Sequence, residues 1–509
     1  MNITSDKTRT GLGGLATAVA VCVAAGALAA GRGIQEAVFF LILGLTAAAA
    51  ISGWASRFKW VLPALVWTAL SLPFVKHLGS EGGAPAINAD HVILFPVDFI
   101  LAVALAWAVL SAVKRAEGGG RDVRSVARAL ADLFKPDLVA AAIIALAAAA
   151  ILSAYNAPRP ELAFIALVDL ARLYAGYVLF RRLAADGPTP VAIGFLAAAA
   201  FQGALCLVEF GAQNNFGLWE KPGWGAFIFA GASPDAGGLL LARGGGTFEP
   251  NTTAQFLQMA VPFAAAYFLT GASRKARWSY LAALLLTLGG AFATFSRGGW
   301  LGAAVALAIV AAGAWARKKS MPIRAGGLVA LTVVGVALLI PAAVVMFARG
   351  AEGDQLSAAS RLDDWETALA MIRDHPLIGV GRGNYLELSR LYNPWALAYP
   401  VHNIYLYMLA ETGIVGFGAF LLLLYGVFRA AGRALRKAAS NPYTATFGLA
   451  GTATFGLAAL GAFAGIALRM FVSMSFVHPF VFLTFVALAA AAAGAVRSSS
   501  TDNSSGSAG

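Results

Sequence analysis

Runs of about twenty mostly apolar residues follow one another along nearly the whole chain, separated by short basic links. A helix rises about 1.5 Å per residue and the hydrocarbon core of a bilayer is about 30 Å thick, so each run has the length of one crossing. Fourteen candidates stand near 11–30, 34–54, 60–75, 91–113, 138–155, 161–180, 189–210, 253–270, 278–295, 300–316, 325–347, 403–425, 445–467 and 473–494. Composition agrees: 59% of residues are hydrophobic and 12% charged, against about 25% charged in an ordinary globular domain. The excess apolar surface must face lipid. The first run (Gly11 to Ala30) follows Lys7 and Arg9 as a signal peptide would, but more spans follow at once, so it reads as an uncleaved span. The chain is therefore predicted to be an all-α, polytopic transmembrane helical bundle of about 12–14 spans.

The net charge of +12 is not spread evenly. With the N-terminus on the cytoplasmic side and the spans alternating, 21 Lys/Arg fall in cytoplasmic links against five acids, Glu117, Asp122, Asp132, Asp137 and Asp186. The basic groups are Arg57/Lys59, Lys114 to Lys135, Arg181/Arg182, Arg274 to Arg277, Arg317 to Arg324 and Arg429 to Lys437. This positive-inside bias predicts that both termini are cytoplasmic. Basic links between apolar runs are not the stripes and base-reading motifs of a nucleic-acid binder, so no nucleic-acid partner is expected; membrane lipids are. Cys22 and Cys206 lie inside apolar runs and suggest neither disulfide nor metal site.

The predicted layout is N-terminal membrane helices (1–210), a Gly-rich outer loop (211–252), membrane helices joined by Ser296-Arg297-Gly298-Gly299-Trp300 (253–347), a large outer loop (348–402), C-terminal membrane helices (403–494) and a disordered Ser/Gly-rich tail (495–509). Loops this long are uncommon unless functional. In the large loop, Ser357 or Ser360 is placed to cap a helix carrying Arg361, Trp365, Ala368 and Ile372 on one face. His375-Pro376 ends it, a glycine-punctuated turn follows, and Tyr385 to Tyr392 forms a second short helix before Asn393-Pro394.

Chemistry-bearing residues gather on the outer side. Arg243, Arg297, Arg361, Arg373, Arg382, Arg390 and Arg469 all fall there, against the charge bias. Guanidinium forks bind phosphate oxygens, although each of these arginines also has an acid such as Asp363, Asp364, Glu366, Asp374 or Glu387 to pair with. Arg297 has no acid beside it in the chain. His402 stands where the loop meets a membrane helix. An imidazole there either caps the helix or takes a proton from a hydroxyl, because imidazoles titrate near neutrality. His375, His91 and His478 read as turn or helix-end residues. Glu411 is an expensive carboxylate within a span, marking function or helix–helix bonding. Asp169 and Arg172, at i,i+3, are expected to pair with each other, and Asp98 has no evident partner. No metal-ligand cluster, nucleotide loop or cofactor motif is present in the sequence.

Gly246-Thr247-Phe248-Glu249-Pro250-Asn251, Ser296-Arg297-Gly298-Gly299-Trp300, Ser360-Arg361 with Trp365, Pro376-Leu377-Ile378-Gly379-Val380-Gly381, and His402-Asn403 with Glu411-Thr412-Gly413 occur in this order. The set, from about 240 to 425, resembles the O-antigen ligase/polymerase family. That resemblance implies a GT-C type glycan transferase of the bacterial inner membrane with a periplasmic active site. Its donor would be a glycan on undecaprenyl diphosphate, and its acceptor a sugar hydroxyl on lipid A core or on a growing glycan. Transfer would invert the anomeric centre and need no metal or cofactor. Arg297 and Arg361 would hold the diphosphate and His402 would be the general base, with Trp365, Asn403, Glu411, Arg382 and Asn251 in support. The resemblance favours a ligase, with a polymerase of the same family as the alternative. A lipid-linked sugar flippase predicts a charged midplane path and repeat symmetry, neither of which the sequence displays. A shape/elongation/division-type transferase would need Asp363 or Asp364 in surroundings that do not match.

Overall fold

Inside lipid, a backbone must close its own hydrogen bonds, and this chain does so in helices. A computed structural model describes residues 123–216, 229–230, 241–271, 273–317, 351–394, 400–437, 449–474 and 478–502, with short pieces at 76–78 and 92–94 and isolated positions elsewhere. The helices are α1 (Val123–Phe134), α2 (Leu138–Ser153, continued by a 3-10 turn Ala154–Asn156), α3 (Glu161–Leu183), α4 (Thr189–Ala212), α5 (Pro250–Thr270), α6 (Arg274–Ala293), α7 (Arg297–Ala316), α8 (Ala351–Asp374), α9 (Tyr385–Tyr392), α10 (Ile404–Lys437), α11 (Leu449–Arg469) and α12 (Pro479–Asp502). Two antiparallel ribbons accompany them: β1 (Lys76–Leu78) with β2 (Val92–Leu94), and β3 (Phe229–Ala230) with β4 (Leu241–Ala242).

The all-α polytopic reading holds: among the described residues, eight helices are long and apolar enough to cross a membrane. They are α2, α3, α4, α6, α7, α10, α11 and α12. The predicted runs near 11–30, 34–54, 60–75 and 325–347, and most of 91–113, lie outside the described residues, as do Cys22 and His91. Cys206 is buried and unbonded.

Three expectations need correction. Val92–Leu94, placed at the start of a span, is a strand paired with Lys76–Leu78. The helix expected to begin at Ser357 or Ser360 begins at Ala351, so both serines lie within it. Ala, Glu, Gln and Leu upstream are strong helix formers, and a serine inside a formed helix costs little. α12 continues to Asp502, into the segment read as an irregular tail. Its Ala-rich body propagates helix cheaply once nucleated.

α5 follows another rule. It carries Asn251, Thr252, Thr253, Gln255 and Gln258, yet nearly all of it is buried. α4, α6, α7, α11 and α12 enclose it, so protein rather than lipid meets its polar face. Small residues permit the close approaches: a Cβ on Gly302 would lie 2.0 Å from Gln258 Nε2, and one on Gly465 2.4 Å from the Gly302 carbonyl oxygen. Around α5, α7 packs on α11, α3 on α12, and α2 on α10.

The two ends of the bundle differ. At one end Arg317 donates to the Leu435 carbonyl (3.1 Å) and Arg181 to the Lys135 carbonyl (2.9 Å), so the last turns of α7, α10 and α3 share it. At the other end lie α8, α9 and the starts of α5, α7, α10 and α12, here called the loop end.

α10 is broken there. Gly413 has φ 60° and ψ −167°, which interrupts the helical ladder at Glu411-Thr412-Gly413. The segment Pro376–Gly381 fills the break. Val380 N–H donates to the Ala410 carbonyl (2.9 Å) and Gly381 N–H to that of Glu411 (3.0 Å). In return Ile414 N–H donates to the Pro376 carbonyl (2.9 Å) and Val415 N–H to that of Leu377 (3.3 Å). Gly379 (φ +73°) lies so close that a Cβ would stand 2.3 Å from the Glu411 carbonyl carbon; one on Gly413 would stand 2.3 Å from that of Leu377. Gly379→Ala and Gly413→Ala should therefore each destabilise the protein by more than about 1 kcal/mol. Gly418→Ala, in α10 with open space around it, should be near neutral. Thermal unfolding of the three variants in detergent checks this ranking.

Candidate functional site

At the loop end, α5, α7, α10 and α11 begin or finish within hydrogen-bonding reach of one another. Gly245 and Gly246 N–H groups both donate to Glu209 Oε2 (2.7 Å each), and Thr247 exchanges bonds with Gln202, which fastens the glycine-rich approach to α5 onto α4. Gly244 N–H donates to the Ala293 carbonyl (2.9 Å), which draws in the end of α6. Asn251, half-buried in the first turn of α5, accepts Arg243 on its side chain (2.9 Å) and Arg469 on its carbonyl (2.9 Å). Arg469 also donates to Ser296 Oγ (3.0 Å), the residue before Arg297. Arg297 opens α7 and is half-buried. Gly298 and Gly299 follow because Arg469 lies against them: a Cβ on Gly299 would be 3.0 Å from its Nη1.

Met470 continues the chain from Arg469, and its carbonyl accepts Ile404 N–H (2.9 Å). That bond ties the start of α10, two residues after His402, to the residue that follows Arg469. Asn403 caps α10, its Oδ1 accepting Tyr405 N–H (3.0 Å) and Leu406 N–H (3.2 Å). His402 is therefore not the cap, and its Nδ1 faces Asp364 Oδ2 at 3.4 Å. Asp364 sits on α8 three residues after Arg361, so the two share a helix face. Arg361 is half-buried. Trp365, Ala368 and Ile372 pack with Val401 and Tyr407, the inward face predicted for α8. The Trp365 Nε1–H is buried with no hydrogen-bond partner.

Glu411 and Arg382 meet in the interlock. Glu411 is fully buried and ion-paired to Arg382, whose guanidinium also lies 5.3 Å from the centre of the Tyr407 ring. The second carboxylate oxygen accepts Tyr385 N–H (3.3 Å). The Tyr385 hydroxyl donates to the Asp364 carbonyl (3.4 Å). Burial, together with Asp364 and Glu411 nearby, pushes that phenol well above its ordinary range, so it stays a donor. A path thus runs from Glu411 through Tyr385 to Asp364 and His402.

Other predicted residues are placed elsewhere. Arg373 and Arg390 are exposed. His478 Nδ1 accepts Phe480 N–H (3.3 Å) at the start of α12. Asp98, for which the sequence shows no evident partner, is ion-paired to Arg172, which also binds Asp169. The partner lay 74 residues away, beyond any helical spacing. Two residues that the sequence reading named but did not place in the site, Asp364 and Arg469, join the elements. Asp364 carried a signal in its i,i+3 spacing from Arg361; Arg469, at the end of a span, carried little.

A family model described as O-Antigen ligase matches residues 281–421. That segment of the chain is similar to the O-antigen ligase family. The match begins within α6 and ends within α10, taking in Arg297, Arg361, Trp365, Arg382, His402, Asn403 and Glu411. That family implies a glycan-transferring enzyme. Comparison with curated proteins gives no match.

The Arg382–Glu411 pair is a buried one, so deleting one member leaves the other charge uncompensated. Glu411→Leu or Arg382→Met should each destabilise by about 3–5 kcal/mol, while the double variant should cost much less than their sum. A double-mutant cycle on unfolding in detergent measures the coupling.

Proposed function

We propose that the chain transfers a glycan from undecaprenyl diphosphate to a sugar hydroxyl of lipid A core at the periplasmic face of the bacterial inner membrane. One observation supports this above the others. The bonds Arg469 to Ser296, Ile404 to Met470 and His402 to Asp364 tie the start of α7, the start of α10 and the Arg361-bearing face of α8 into one end of the bundle. Basic residues crowd the opposite end, which favours the loop end as the outer one.

In this reading Arg297 and Arg361 hold the two phosphates of the donor. Fixed guanidiniums at a site shielded from water offset the charge that develops as the diphosphate leaves. His402 works in the tautomer that Asp364 selects: Nδ1–H points at the carboxylate, leaving the Nε2 lone pair for the acceptor hydroxyl. The acceptor oxygen bonds to the anomeric carbon from the face opposite the leaving group. The bond from that carbon to the diphosphate oxygen breaks, the electron pair leaves with the diphosphate, and the hydroxyl proton passes to His402. The configuration inverts, and no metal takes part. Trp365, Asn403, Asn251 and the Glu411–Arg382 pair act as supports, the last by fixing the helix that carries Asp364.

His402→Ala should lower transfer by about 10²–10⁴-fold, the usual contribution of a general base. Arg297→Ala and Arg361→Ala should abolish it, all three proteins still accumulating in the membrane. Transfer of glycan from purified lipid-linked donor measures these effects, and undiminished transfer by His402→Ala would remove it from the base role. A deletion strain should lose all polymer from its lipid A core. Retention of single repeat units on the core would instead identify a polymerase.

A further inference from the structure

Three arginines are buried among the described residues: Arg172, Arg181 and Arg469. Two of them are matched by carboxylates. Arg172 pairs with Asp98 and Asp169, and Arg181 with Asp137 at 3.5 Å. Arg469, 3% exposed, is different. Its hydrogen-bond partners are all neutral, Gln258 Oε1 (3.3 Å), the Asn251 carbonyl (2.9 Å) and Ser296 Oγ (3.0 Å), and the nearby Glu249 carboxylate acts on it without forming an ion pair. Its Nε–H is buried with no acceptor. Gln258 Nε2 and Gln255 Oε1, on the adjoining face of α5, are likewise unsatisfied.

A guanidinium taken out of water without an anion costs several kcal/mol, and proteins rarely keep one unless something else compensates it. The location of Arg469 indicates the compensation. It bonds to the residue before Arg297, it lies against Gly298 and Gly299, and its chain neighbour Met470 holds the start of α10 two residues from His402. Arg243 reaches the same Asn251 from the other side. The first turn of α7 begins beside it, and Ser296 gives that helix no side-chain cap.

We propose that Arg469 is a positioning cation of the donor site: it fixes Ser296-Arg297 against α5, and its unneutralised charge is offset when a diphosphate binds beside it. This rests on the diphosphate reading above and adds a residue that lies beyond the matched segment 281–421. A guanidinium is needed because three acceptors, two on α5 and one before α7, must be held at once, which a planar fork does and an ammonium does not.

The test is equilibrium binding of farnesyl diphosphate, with farnesol as the uncharged control, to the purified full-length protein in detergent. Wild type should prefer the diphosphate. Arg469→Gln should bind farnesyl diphosphate about ten- to a hundredfold more weakly, the range of a charge-assisted hydrogen bond, with farnesol affinity unchanged. Arg469→Lys should fall between the two, and it serves alone if Arg469→Gln does not accumulate. A residue that only braced the fold would lower thermal stability and leave the preference for diphosphate over farnesol intact; that result in either variant overturns the proposal. Equal binding of the two probes by wild type overturns the diphosphate reading itself, and this inference with it.

Discussion

The break in α10 is the constraint around which the loop end is built. A helix interrupted at the edge of a membrane exposes carbonyls and amides that lipid cannot satisfy. Here Pro376–Gly381 answers all four, with two bonds in each direction. The exchange needs backbone against backbone, so glycines stand on both sides, Gly379 facing Glu411 and Gly413 facing Leu377. Once this joint is made, the position of α9 follows, because Tyr385 is bonded to Glu411 and to Asp364. The extramembrane hairpin is thereby anchored to a membrane helix rather than draped across it, and His402 meets a carboxylate of fixed position.

Most buried charge is handled by pairing, and Arg469 at the loop end is the exception among the described buried arginines. Arg172, Arg181 and Arg382 are each answered by carboxylates from other segments. At the starts of α5 and α7, Arg469 is held by neutral acceptors, with Glu249 at the cap of α5 outside ion-pair range. Polar residues on α5 are tolerated because five helices surround it, so its glutamines and threonines never meet hydrocarbon. The same enclosure lets a buried polar seam run from Gln258 to Ser296.

Much of this was legible from the order of residues. Eight span positions between 138 and 496 follow from run length, since hydrocarbon thickness admits few alternatives. The short helix Tyr385–Tyr392 and the end of α8 at Asp374 follow from proline and asparagine punctuation. The start of α8 was misplaced because a capping residue looks the same inside a helix as at its end. Strand Val92–Leu94 was misread because a short apolar run fits a strand as well as a helix. Asn403 and His402 were both candidates for the helix cap, and only bond geometry separates them.

By itself, then, the sequence determined that the chain is a helical membrane protein, where eight of its apolar helices lie, which end of them is basic, and which residue types wait at the other end. These depend on hydrophobicity, charge and local spacing, which are properties of neighbours in the chain. Tertiary structure alone decided that Pro376–Gly381 closes the break at Gly413, that Asp98 answers Arg172, that Asp364 faces His402, and that Arg469 joins α5, α7 and α11 without an ion pair. Those pairings link residues tens to hundreds of positions apart, and which partner a buried polar group finds is settled by how the helices pack.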